Sequence, residues 1–90
     1  MSEKPTLEEL LEFPNTFTFR VVAAHREDLQ GEVREMVERL LDRPAVHVSC
    51  QPSSKGAFMS IRVSVVVTTA HEIRSVYAEL NTIDGLRMLL

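Results

Sequence analysis

Ninety residues, 44% hydrophobic and 26% charged, suit one small globular domain and exclude a disordered or low-complexity chain. A formal net charge of -3 gives no general electrostatic pull toward nucleic acid or an anionic membrane, so such a partner would need a local basic face. Cys50 is the one cysteine, which excludes an intramolecular disulfide and fits a reducing compartment; no run reaches signal-peptide or membrane-span length, so a cytoplasmic chain without membrane contact is expected.

Residues 1–5 read as a tail and residues 6–90 as a single domain. Thr6-Leu7-Glu8-Glu9 has the form of a capping box, in which a hydroxyl and a carboxylate each satisfy a free amide, and it predicts a short helix ending at Phe13-Pro14. From Phe17 to Ala24 the odd positions are apolar, which is strand periodicity. Leu29, Val33, Met36, Val37, Leu40 and Leu41 then recur at helical spacing and predict a long amphipathic helix that stops before Pro44. Gly31 inside it costs about 1 kcal/mol relative to alanine, so a close contact or a frayed first turn is expected there.

Val46, Val48 and Cys50 alternate with polar residues in a second strand, and the shared parity turns the Cys50 thiol toward the helices, where burial is expected. The third strand is the clearest, with Met59, Ile61, Val63, Val65 and Val67 on one side. Thr69-Ala70-His71-Glu72 repeats the capping-box pattern ahead of Ile73, Val76, Tyr77 and Leu80, a second amphipathic helix. Asp84-Gly85 marks a turn, and Leu86 to Leu90 form a last strand.

After the N-terminal helix the order is β-α-β-β-α-β, which predicts an α+β, ferredoxin-like sandwich: a four-stranded antiparallel sheet with both helices on one face. Right-handed crossovers put the first and third strands in the centre and leave the other sheet face uncovered. Strand parity fills that face with Thr18, Arg20, Val22, His47, Ser49, Gln51, Ser60, Arg62, Ser64, Val66, Arg87 and Leu89. Arg20, Arg62 and Arg87 make it a candidate anion-binding face, since guanidinium forks grip phosphate or carboxylate, although a solvated face alternates in the same way. Single-stranded nucleic acid is the alternative ligand, but stacking aromatics are missing from the central strands, with Phe58 alone at the margin.

Between the second and third strands, Pro52 to Ser60 combines a fixed φ, a permissive glycine and local hydroxyl donors. Ser53, Ser54, Lys55, Gly56 and Ser60 are the candidate contacts for a ligand or partner, against a plain structural hairpin. Ser54 and Lys55 lack the apolar pocket and oxyanion donor that serine-lysine catalysis needs, and the segment is not a P-loop because the Gly-x-x-x-x-Gly-Lys order is absent. His25, His47 and His71 have no metal-ligand spacing. No catalytic residue, metal or cofactor is expected.

Leu10-Leu11-Glu12-Phe13-Pro14, the loop Pro52-Ser53-Ser54-Lys55-Gly56 with Phe58 and Ser60, and Leu80 to Leu90 together resemble the YbeD family of small bacterial proteins over about Leu7 to Leu90. That resemblance implies a fold similar in shape to the ACT-type regulatory domain, where small effectors bind between the first strand and first helix at a domain interface. ACT sites commonly have a glycine at that turn, and Ala23-Ala24-His25-Arg26 stands there instead. The expected function is a non-catalytic regulatory or interaction module for a small effector or partner protein, with homodimer formation through a sheet edge as a further expectation.

Overall fold

The computed structural model describes residues 12–53 and 55–90, so the predicted N-terminal helix and Ser54 lie outside the described residues. Six elements follow in order: β1 (Asn15–Ala24), α1 (Leu29–Leu41), β2 (His47–Pro52), β3 (Phe58–Val67), α2 (Ala70–Leu80) and β4 (Leu86–Leu89). They form an α+β, ferredoxin-like sandwich whose antiparallel sheet runs β2-β3-β1-β4, with the first and third strands central as the crossover rule requires.

One face of the sheet and one stripe of each helix make the core. Phe19, Val21 and Ala23 of β1 and Ile61, Val63, Val65 and Val67 of β3 meet Leu29, Val33 and Val37 of α1 and Ile73, Val76 and Leu80 of α2, all essentially inaccessible. Burying each larger side chain contributes about 1.5–3 kcal/mol, so this cluster decides which way the sheet faces. Phe17, Phe19 and Tyr77 extend it as tilted and edge-on rings with centroids 4.8, 6.4 and 5.3 Å apart.

The helices end by local chemistry. Asp42 adopts a left-handed conformation (φ 54°) at the C-terminus of α1, a position where aspartate's short polar side chain is tolerated, and Pro44 follows. At α2 the Thr69 hydroxyl accepts from the Glu72 amide at 3.2 Å, as the capping box predicts. The Glu72 carboxylate reaches one residue further back than expected, accepting from the Thr68 amide (2.7 Å) and hydroxyl (3.0 Å). A Cβ on Gly31 meets nothing within 4 Å, so no close packing explains this glycine in the first turn of α1.

Two expectations need correction. Cys50 is exposed. Its partner is the buried Ile61, so it does share the helix-facing side, but β2 is an edge strand with a neighbour on one side only and its outer half is uncovered. At the other edge β4 carries a bulge: Val22 pairs with Met88 and Ala23 with Leu86, leaving Arg87 as the extra residue. One extra residue inverts a period-two pattern, so Met88 takes the open face while Leu89, opposite Val21, packs toward the core.

β1 and β4 also differ in length. β1 pairs with β3 along all ten of its residues, whereas β4 with its flanking residues Gly85 and Leu90 reaches only from Ala24 to Arg20. Arg20 exchanges both backbone bonds with Leu90, at 3.0 and 2.9 Å, which fixes the even residues of β1 as those whose peptide groups point to the β4 side. Thr16 and Thr18 therefore direct their N–H and C=O groups to a stretch of edge that no described residue covers.

Candidate anion-binding face of the sheet

Charge is divided between the layers. The strands hold Arg20, Arg62 and Arg87 and not one aspartate or glutamate, while the described acidic residues all lie in the helices and connections. The core pattern explains this placement: with the odd positions of β1 and β3 committed to burial, the arginines at even positions point away from the helices. Arg20 and Arg62 are direct cross-strand partners on the two central strands. Like charges so placed repel, a cost the fold bears without a compensating acid on any strand.

Each arginine is held differently. Arg20 is partly buried and its Nε donates to the Ser60 hydroxyl at 3.2 Å; Arg62 is exposed. Arg87 lies with its guanidinium carbon 4.9 Å from the centre of the Phe58 ring. Phe58 pairs with Ala24 and faces the open side, so the bulged Arg87 reaches over β1 to cover it. The outcome is a face with two arginines at directly paired positions, a third over the Phe58 ring, and the hydroxyls of Ser60, Ser64 and Thr18, the last two 2.8 Å apart.

The residues predicted as loop contacts separate. Ser60 belongs to the arginine face, through Arg20. Ser53 serves the hairpin: its amide donates to the Phe58 carbonyl (2.8 Å), its hydroxyl accepts from the Phe58 amide (3.2 Å), and its carbonyl accepts from the Gly56 amide (3.0 Å). Gly56 takes φ 74°, a left-handed value that closes the turn. Lys55 is exposed at the tip. Among the described residues of the hairpin, Ser53 and Gly56 thus serve its own geometry and Lys55 stays exposed.

The turn from β1 to α1 is filled by its own ion cluster. Arg26 donates to both carboxylate oxygens of Glu32 at 3.0 and 3.2 Å and to Asp28 at 3.3 Å, and its pKa is raised chiefly by the Glu32 bond. A second fork, absent from the sequence reading, joins the layers at the other end: Arg43 donates to Glu72 at 2.8 and 2.6 Å and to the Val66 carbonyl at 2.9 Å. Arg43, helped by the Thr68 bonds, holds the Glu72 carboxyl at about 2, against an ordinary 4.5. No cluster of three metal-ligating side chains occurs among the described residues, and none of the described helices is long and apolar enough to cross a membrane.

Fold and surface define a small ferredoxin-like domain with a cationic open sheet. It is similar to the ACT domain from the GTP pyrophosphokinase of Chlorobium tepidum (TM-score 0.68, 8% identity, 83% of this chain and 94% of that one) and to protein HP0495 from H. pylori in its solution structure (TM-score 0.78, 22% identity, 99% and 90%). Residues 8–90 match the model of the family described as "Protein of unknown function (DUF493)", and the chain belongs to that family. Its relatives include the UPF0250 protein of Pasteurella multocida, 38% identical over 93% of this chain and 94% of the relative, and the UPF0250 protein YbeD of Escherichia coli O1:K1 / APEC, 36% identical over 97% and 99%.

Proposed function

We propose that this chain is a non-catalytic interaction module whose working surface is the open sheet face and whose partner presents carboxylates there. The observation that carries this reading is the direct opposition of Arg20 and Arg62 on strands that hold no acid. An anion between them relieves a repulsion built into the free fold, and Ser60 fixes one guanidinium in advance. The candidate loop is secondary here, since Ser53 and Gly56 are engaged in the turn. An effector at the β1–α1 turn would have to displace the Arg26–Glu32 fork.

Single-stranded nucleic acid is the second reading, drawn to the same arginines. Base stacking needs a free ring, and Arg87 already covers one side of Phe58, which favours a carboxylate-bearing protein. Fluorescence anisotropy of the full chain with labelled poly-glutamate and labelled poly-uridine at low salt separates the two. The proposal predicts salt-sensitive binding of poly-glutamate, unaffected by Lys55→Ala. Binding of poly-uridine alone transfers the face to nucleic acid, and no binding of either removes the proposal.

A further inference from the structure

We infer that the partner enters as an extended strand, adding to the edge of β1 that β4 leaves open, with acidic and apolar side chains in alternation. This rests on the reading of the sheet face given above and adds the mode of docking and the pattern of the docked segment. Thr16 and Thr18 are exposed, and their four peptide N–H and C=O groups point to an edge with no described partner. Such a row of unpaired groups is what an extended peptide pairs with in strand addition, where main-chain bonds give affinity and alternate side chains give specificity.

The two faces of this edge set the pattern. On the open face an added strand lies beside Thr18 and one step diagonally from Arg20, with Arg62 behind, so its residues there meet cations. On the other face it meets Phe17, half-buried with the Tyr77 ring edge-on at 6.4 Å, so its residues there meet apolar rings. A strand from the described residues of a second copy brings no carboxylate, because none of the four described strands contains one. A nucleic acid has no alternating N–H and C=O pattern with which to pair. The occupant that satisfies edge, cations and rings together is an acidic–apolar segment of another protein.

The test uses the full, isotope-labelled chain and three blocked peptides: alternating Glu-Val, the same peptide N-methylated to remove its backbone donors, and alternating Lys-Val. Hydrogen exchange and amide shifts are read by NMR. The Glu-Val peptide is expected to slow exchange at Thr16 and Thr18 by about ten-fold or more and to bind about ten-fold tighter than either of the other peptides. Equal affinity for the N-methylated peptide, with shifts at Arg20 and Arg62 retained, overturns strand addition while leaving the anion-binding face standing. Equal affinity for the Lys-Val peptide overturns the acidic pattern. Thr16 and Thr18 amides already protected in the free chain mean that the edge is filled, by residues 1–11 or by a second copy, and overturn the inference.

Discussion

Arg43 closes on the Glu72 carboxylate through two parallel bonds of 2.8 and 2.6 Å across 29 positions of sequence. The pair ties the segment that leaves α1 to the first turn of α2, and the Arg43 bond to the Val66 carbonyl adds the end of β3. Because folding lowers the Glu72 pKa from 4.5 to about 2, its contribution is fully present above 4.5 and is lost as the pH falls toward 2. Glu72→Gln is expected to cost about 1 kcal/mol at neutral pH, discounted for partial exposure, or a fall of about 4–8 °C in Tm. Thermal melts at pH 7 and pH 3 check this: the gap between native and variant narrows at the lower pH. Arg43→Lys keeps the charge, loses the fork and also lowers Tm.

Gly31 is exposed in the first turn of α1 with open space where a Cβ would stand. Nothing in the packing requires glycine. Gly31→Ala is expected to stabilise the fold by about 0.5–1 kcal/mol by reducing the freedom of the unfolded chain, read as a higher urea midpoint at unchanged m.

Gly85 is the opposite case. Its φ is +81° and a Cβ would lie 3.1 Å from the Ala24 Cβ, while its carbonyl accepts the Ala24 amide at 2.9 Å. Gly85→Ala is expected to cost about 1–3 kcal/mol, with the loss concentrated at β4. Faster amide exchange at Val22 and Met88 than at Val63 would locate it there.

The opposed arginines give a prediction in which stability and binding move apart. Arg62→Glu converts a like-charge cross-strand pair with Arg20 into an ion pair and is expected to stabilise the chain by about 0.2–1 kcal/mol. The same substitution fills the anion position with the protein's own carboxylate, so binding of poly-glutamate falls. Urea denaturation and anisotropy on one preparation read both effects.

Much of this surface was legible in the sequence because it follows from short-range rules. Alternation along β1 and β3 assigns Arg20, Arg62 and Ser60 to the uncovered face, and Thr69 with Glu72 marks the start of α2. What was not legible depends on how remote segments register. The bulge at Arg87 exists only in the pairing of β4 with β1, and it exchanges the faces of Met88 and Leu89. Cys50 has the parity of a core residue, but its exposure follows from which strand lies at the sheet edge and how far the helix layer extends. The stretch at Thr16 and Thr18 that no described residue covers reflects unequal strand lengths, ten residues against four, which alternation does not measure. The Arg43–Glu72 fork joins the segment that follows α1 to the first turn of α2, a pairing of remote positions that helical spacing does not show.

The most direct test of the sheet face as an anion-binding surface is the dissociation constant of a glutamate-rich peptide for the native chain and for the Arg20→Gln, Arg62→Gln double variant, at low salt and with folding confirmed by circular dichroism. Weakening by about ten-fold or more, together with a shallower salt dependence in the variant, is the predicted result. Equal affinity and equal salt dependence in the two proteins would contradict it.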